Sequence, residues 1–404
     1  MSVKRVLLLS QFFPPESNSA ANRIGAMAEA LSKEFDVRVV TLRPSYPSSA
    51  LFEGANDSIQ RRDSGRPYAI ERVFRFSPHR GGLFVRALRE HSMALGLAAR
   101  AITAPADIVV TSSPTMFLGP VGLVLARIKG VRFVWDVRDI TWRYASEVVD
   151  YSWRVALGAR ALEAYMVRVL RRADLLAGAT PGLSRVLVES GADPDRVVTV
   201  FNGISEDLLD IPQKDAEKGT ASIRPVVAFV GMIGYNQGLG VALDAASLLP
   251  EADFLIVGDG PELSMLQERA EKLSLTNVSF TGWLNKDQLL KVYEQTDVLF
   301  AHLKSTPILD TTAVSFKLFE YMATGRPFVY AGKGVAVEFL SKIGCAVTVP
   351  PDDPRALSAA IFALLQDPEK RRALGSKGRA FVEHNYRRDK LMERFTRTLL
   401  ERFP

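Results

Sequence analysis

Apolar runs without alternation are the feature that most constrains this chain. A strand that is apolar on consecutive positions buries both faces, and a parallel sheet covered by helices on both sides provides for this. Residues 3–9 form the first such run. A Pro/Ser/Asn loop follows at 11–19, then residues 20–33 with Ile24, Met27 and Leu31 at helical spacing, then a second run at 37–41. That succession predicts a βαβ unit and therefore a parallel sheet. Runs at 108–111, 133–135, 175–179 and 197–201 predict further strands, with a helix over 156–171 between them. Residues 205–225 interrupt the pattern with Asp, Glu, Lys, Gln, Gly and two prolines, the composition of a linker. The cycle then restarts, with strands at 226–230, 254–257, 278–280, 298–301, 328–330 and 346–349 and helices at 239–249 and 261–273.

The expectation is an α/β protein of two Rossmann-like domains, 1–204 and 226–375, joined by the linker 205–225. One amphipathic helix over 376–404, with Phe381, Leu391, Phe395, Leu399 and Phe403 on its apolar side, is expected to pack back toward the first domain. Ligands of open parallel sheets sit beyond the strand carboxyl ends, so two such sheets facing each other predict an interdomain cleft for two substrates. A chain of 404 residues suits this division, at about 200 residues per domain.

Charge is uneven. Residues 1–200 hold 27 Lys+Arg against 19 Asp+Glu, and the remainder 24 against 26. Residues 61–100 carry nine arginines and three acids. There Arg75, His79, Arg80, Arg86 and Arg89 alternate with Phe74, Phe76, Leu83, Phe84, Val85 and Leu88. Arginine interleaved with aromatics suits a phosphate-bearing or membrane surface, and Arg80, Arg86 and Arg89 are the expected contacts to anionic lipid. A solvated basic face on a helical hairpin accounts for the pattern equally well. No recognition motif accompanies the charge, so nucleic acid is not expected as a partner. The uncharged run 108–126 is cut by Thr111-Ser112-Ser113-Pro114-Thr115 and Gly119-Pro120 into strand, turn and helix, which argues against a membrane span. No signal peptide is expected, since only residues 6–9 follow the basic start. A single cysteine, Cys345, excludes an internal disulfide and fits a reducing, cytoplasmic setting, with a peripheral place on the inner membrane face. It reads as a core thiol. The four histidines are scattered, so no metal site is expected; His302, after the strand at 298–301, can line the cleft but reads better as a core residue. No G-x-S-x-G elbow is present, which argues against an α/β-hydrolase.

Five segments carry chemistry. In Ser315-Phe316-Lys317-Leu318-Phe319-Glu320-Tyr321-Met322-Ala323-Thr324-Gly325-Arg326-Pro327 a lysine and a carboxylate share a helix face, and Gly325 and Pro327 end the helix. The start of such a helix can hold an anion, and Glu320 can accept two sugar hydroxyls; a solvated Lys–Glu pair fits the spacing equally. Residues 231–240, with Gly231, Gly234, Tyr235, Gln237 and Gly238, follow a strand and precede a helix, where glycine lets backbone approach a phosphate; many such turns are merely tight. Gly258-Asp259-Gly260-Pro261 punctuates another strand–helix junction. After the strand at 133–135, Asp136, Arg138 and Asp139 place three charges at a strand exit, either for catalysis or as a structural ion pair. The loop 11–23 brings Ser17, Asn18, Ser19 and Arg23 to a helix start, where they can face a phosphate or an acceptor hydroxyl or simply cap the helix.

Taken in order, these segments, with Asn202-Gly203-Ile204, resemble family 4 glycosyltransferases of the GT-B fold over nearly the whole chain. The similarity is greatest to the branch that builds bacterial surface polysaccharides, fucosamine-type transferases among them. The resemblance implies a retaining, hexosyl-type transfer from a nucleotide-diphosphate sugar held by the C-terminal domain, with no protein nucleophile and no metal or other cofactor. It implies that Glu320 holds the ribose, that residues 231–238 and the helix start at Ser315, Lys317 and Leu318 cradle the diphosphate, and that residues 277–283, Trp283 included, contact the base. Arg138 and Asp139 match a pair beside the anomeric carbon, and the acceptor is expected to be a polyprenyl-diphosphate-linked sugar. Three positions depart from the family pattern. Met232 and Gln237 replace an Arg and a Lys, for which Lys317 can substitute. Thr312 replaces the earlier Glu of a Glu-x7-Glu pair, and Ser19-Ala20 or their neighbours replace a Gly-Gly. A nucleotide-sugar 2-epimerase of the same architecture and a non-catalytic nucleotide-sugar-binding scaffold are the rival readings. A Rossmann oxidoreductase lacks its fingerprint.

Overall fold

The computed structural model describes residues 3–16, 18–46, 49–74, 83–113, 115–140, 142, 153–212 and 224–404. The chain forms two compact units, one of Met1–Asn202 with Arg388–Pro404 and one of Gly203–Arg387.

The first unit is a parallel sheet of β1 (Arg5–Ser10), β2 (Asp36–Leu42), β3 (Ala69–Val73), β4 (Ile108–Ser112), β5 (Arg132–Val137), β6 (Leu175–Gly178) and β7 (Val197–Thr199). Its order is β3-β2-β1-β4-β5-β6-β7. Leu8 pairs with Val39 on one side and Val110 on the other, so β1 is central and wholly apolar where it crosses the core. The direction of winding reverses between β1 and β4, the point where such sheets open a crevice at the strand carboxyl ends. Helix α1 (Ser19–Leu31) starts there, capped by Asn18, whose side chain accepts from the Ala21 N–H at 2.8 Å. Helix α2 (Leu118–Lys129) follows β4 and stops at Gly130 in the left-handed region. Strand β3 was not expected. Its sequence Ala-Ile-Glu-Arg-Val has no apolar run, because it is a half-exposed edge strand. Glu71 there takes Arg38 at 2.6 Å, and Arg72 pairs with Asp63 at 2.6 Å.

The second unit is a parallel sheet of β8 (Val226–Val230), β9 (Asp253–Val257), β10 (Val278–Gly282), β11 (Val298–His302), β12 (Phe328–Ala331) and β13 (Val347–Val349), in the order β10-β9-β8-β11-β12-β13. Val227, Phe229, Phe254, Ile256 and Phe300 fill its core with the apolar face of helix α3 (Gly240–Ser247). The reversal lies between β8 and β11. These two strands pair only at Val227–Val298 and Ala228–Leu299. Beyond that the Tyr321 hydroxyl, from helix α4 (Phe316–Thr324), fills the gap. It accepts from the Val230 N–H at 2.9 Å and lies 3.2 Å from the carbonyls of Val230 and Phe300. The tyrosine replaces the missing ladder and seats α4 above the opening.

The single helix expected over 376–404 is instead two. Helix α5 (Pro368–Asn385) ends at Tyr386, and a new helix, Arg388–Arg402, belongs to the first unit. Tyr386 leaves helical geometry because its ring packs on Phe319 and Phe381 and its carbonyl takes the Ile204 N–H at 2.8 Å. Leu391, Met392, Phe395 and Leu399 bury the last helix, which contacts α1. The expected linker also starts late. Residues 204–212 are tied into the second unit, the Ile211 carbonyl by Arg379 at 2.7 Å and the Pro212 carbonyl by Arg326 at 3.1 Å, and residues 213–223 lie outside the described residues. Cys345 is a buried free thiol, its pKa pushed up to about 12 by burial, as a core cysteine should be.

Tyr321→Phe removes a hydroxyl that accepts from one buried N–H and whose single proton lies between two carbonyls. It should lower the unfolding free energy by about 1–3 kcal/mol, read as a lower urea midpoint at unchanged m. An unchanged midpoint would mean that the strands close without it.

Candidate functional site

In the second unit the predicted residues converge at the strand carboxyl ends. The strand exits are linked in a row: the Gly231 N–H bonds to Val257 O at 2.9 Å and the Gly258 N–H to Gly282 O at 3.0 Å. Gly231 has φ +146° and Gly258 φ +136°, both in a region that favours glycine. A Cβ on Gly258 would overlap the Gly231 carbonyl, and one on Gly231 would lie 2.9 Å from the Lys317 Nζ. The glycine turn and the head of α4 are therefore in contact.

Lys317 is the chemical centre of this arrangement. It is only 9% exposed. Its Nζ lies 3.8 Å from the centre of the Phe229 ring and has no hydrogen-bond partner among the described residues. Burial lowers its pKa to about 7, partly offset by Glu320 one turn along the helix. A buried ammonium without an anion is costly. The first turn of α4 carries no acidic residue, so its positive end is uncompensated from within. Ser315 sits at the N-cap without a side-chain capping bond. Leu318 is corrected from ligand to core: it is fully buried, and its N–H is taken by Ser315 O at 3.1 Å.

The outer part of the loop is clamped by His302, for which the sequence favours the core over the cleft. His302 Nδ1 donates to the Gln237 carbonyl at 2.6 Å, and its Nε2 accepts from the Asp352 N–H at 3.0 Å. Burial lowers the His302 pKa, which suits the neutral imidazole this pattern needs. Lys304 donates its N–H to Asn236 O at 2.9 Å and stacks over the exposed Tyr235 ring at 3.5 Å. The place of His302 at the end of β11 is the sequence signal that marks it. Trp283 is half-buried just past β10. Asn277 is corrected from base contact to structural residue. It lies at the opposite end of β10, and its amide N donates to the carbonyls of Ala246, Leu249 and Ala252, each at 3.0 Å. Thr312 Oγ1 donates to Ile308 O at 2.6 Å within its own helix.

In the first unit, Arg23 and Asp136 find each other. Both are fully buried. Arg23 Nη2 donates to Asp136 Oδ1 at 2.6 Å, Nε to Oδ2 at 3.0 Å, and Nη1 to Phe201 O at 2.8 Å, while Ser112 Oγ donates to Asp136 Oδ2 at 2.7 Å. The acceptor contact expected of Arg23 is thereby corrected, since its guanidinium is enclosed and committed. For Asp136 the geometry selects the structural ion pair of the two expectations. Arg138 is different. Its N–H bonds to Ser113 Oγ at 2.9 Å and its Nη2 to Ser19 Oγ at 2.9 Å, which brings Arg138 and Asp139 beside the start of α1. Burial and the nearby Arg23 lower its pKa to about 10, so it remains cationic at neutral pH. Asn18 is the α1 cap, and Ser17 lies outside the described residues. Of the expected membrane contacts, Arg80 lies outside the described residues. Arg86 and Arg89 fall within the helix Leu83–Ala101, where Arg89 is half-buried. No described helix is long and apolar enough to cross a membrane.

Asp136→Asn should lower the unfolding free energy by about 3–5 kcal/mol, because it leaves Arg23 buried without its counter-charge. Loss of turnover at unchanged stability would return Asp136 to the reacting groups.

Comparison with known proteins bears on both units. Residues 19–203 match the model of a glycosyl transferase 4-like domain, and residues 210–381 that of the glycosyl transferases group 1. The O-antigen chain mannosyltransferase C of Escherichia coli is 28% identical over 275 residues, 64% of this chain and 70% of the relative. The putative colanic acid biosynthesis glycosyl transferase WcaI of Escherichia coli K12 is 23% identical over 97% of this chain and 98% of its own. Anabaena Alr3699/HepE, solved in complex with UDP and glucose, superposes with a TM-score of 0.72 at 17% identity, covering 98% of this chain and 99% of the other.

Proposed function

From the premise that the chain belongs to the group 1, family 4 glycosyltransferases of the GT-B fold, we propose that it is a retaining, hexosyl-type enzyme acting on a nucleotide-diphosphate sugar. Its acceptor is a lipid-linked saccharide, and its product a bacterial surface polysaccharide. The relatives named for O-antigen and colanic acid synthesis support the pathway class, and the neighbour bound to UDP and glucose supports a nucleotide-sugar donor.

One observation carries the reading: the buried Lys317 amine, without a hydrogen-bond partner among the described residues and set between a glycine turn and the head of α4. That combination suits a diphosphate, with amides and the helix dipole on its oxygens and an ammonium as counter-charge. Glu320 accepts from the ribose hydroxyls, and Trp283 meets the base. In the transition state the bond from the anomeric carbon to the leaving phosphate oxygen breaks as the acceptor oxygen bonds on the same face. The acceptor proton passes to a donor phosphate oxygen, so no protein nucleophile is needed. Charge builds on the diphosphate, where Lys317 and the loop amides stabilise it more than in the ground state. Arg138 and Asp139 orient the sugar or the acceptor hydroxyl, with Asn18 and Ser19 on the acceptor side. Lys317 provides the charge that Met232 and Gln237 do not, and transfer proceeds without metal.

Lys317→Met keeps the packing on Phe229 and removes the amine. It should lower kcat/KM by about 10²–10³-fold, measured with whichever of UDP-, GDP- or ADP-sugars shifts the melting temperature of the wild type. Wild-type turnover in the variant would reject the site.

Membrane association through Arg80, Arg86 and Arg89 belongs to the same proposal. Reversing all three charges should release the protein from anionic vesicles in sedimentation, and unchanged sedimentation would remove the lipid contact.

A further inference from the structure

We propose that the site takes up one proton as it binds a diphosphate, Lys317 resting in the empty site as the neutral amine and holding the bound diphosphate as the ammonium ion. The inference rests on reading this site as a diphosphate cradle.

The geometry leads to it. The Lys317 Nζ is enclosed by the Phe229 ring, 3.8 Å away, and by the Gly231 backbone, and nothing described accepts a hydrogen bond from it. An amine in such surroundings loses the hydration that stabilises its charge. The Phe229 ring returns only part of that loss through its quadrupole, because a ring face accepts no hydrogen bond as strong as those of the lost water.

The charged groups around it do not reverse this. Glu320 lies on the same helix, half-buried, and favours the ammonium only in part. From β11 comes His302, which burial keeps neutral and whose protonation the charge on Lys317 itself opposes. β8 contributes the apolar Phe229. The loop 231–238 contains no charged side chain. The lysine pKa of about 7 agrees with this balance.

A diphosphate changes it. Its oxygens accept from Nζ, its charge is the missing partner, and the amine gains a proton from solvent. Above pH 7 the site is thus largely uncharged at this position until the ligand arrives. A chain with an arginine on the loop would carry its charge permanently, since guanidinium does not titrate in this range.

The measurement is calorimetric titration of the wild type with UDP, GDP and ADP at pH 8, repeated in buffers of different ionisation enthalpy. A terminal phosphate, whose second ionisation lies near 6, is already deprotonated at this pH. The expected result is uptake of about 0.9 proton per nucleotide bound at pH 8 and about half a proton at pH 7. The dissociation constant should rise about eightfold from pH 7.5 to 8.5, because the charged form becomes scarce. Lys317→Arg should bind with no proton uptake and less than about a twofold change over that range; if it fails to fold, Lys317→Gln should bind more weakly with no uptake. Tight wild-type binding without proton uptake would overturn the proton coupling and leave the cradle standing. Uptake that persists in either variant would overturn the assignment to Lys317. Binding of none of the three nucleotides would overturn the cradle and the inference with it.

Discussion

The divergence of β8 from β11 is the constraint on which the second unit depends. Two parallel strands that part after two residue pairs strand their remaining peptide groups, and buried peptide groups must be paired. One phenolic oxygen reaches both strands, and because it comes from α4 it also holds that helix against the opening. The lysine one turn earlier is then carried over Phe229 and against the glycine turn. Placement of the amine is a by-product of satisfying the sheet.

The first unit shows no such parting, since β1 and β4 pair as far as Ser10 and Ser112, and it ties its first helix to the sheet with charge. Its strand ends are crossed by Arg23, which joins α1 to β5 and to the carbonyl of Phe201. The pair is enclosed and hydrogen-bonded on several sides, the condition under which a buried ion pair persists. It leaves Arg138, two residues beyond Asp136, to reach the start of α1. In each unit the residue tying helix to sheet is buried, and the group proposed to face a ligand lies close by in sequence: Lys317 four positions from Tyr321 on the helix, Arg138 two beyond Asp136 on the strand exit.

The architecture was legible where burial on both faces wrote itself into the chain: the central strands and the glycine exits stood out because parallel strands admit no polar alternation. Edge strand β3 did not, since half of it faces water and its charges pair sideways. The break at Tyr386 was hidden for another reason. Both helices are amphipathic, and only an aromatic cluster with Phe319 and Phe381 shows why the chain turns there. Of the residues proposed for the site, Gly231, Gly258 and Lys317 could be named from spacing. Arg23, Asn277 and Leu318 were misread, because a polar or helix-start residue in a loop motif looks the same whether it faces a ligand or the core.

Local order along the chain determined the strands, the helices that follow them, and the kinds of side chain gathered at the strand ends, because those depend on periodicity and on the backbone freedom of glycine. Tertiary structure alone decided which charges are neutralised and which are held open. Arg23 and Asp136 are 113 residues apart and cancel, whereas Lys317 and Glu320 are three apart and the amine still has no hydrogen-bond partner among the described residues. Pairing of charges is a matter of distance and exclusion of water in the folded chain, and neither can be read from separation in sequence.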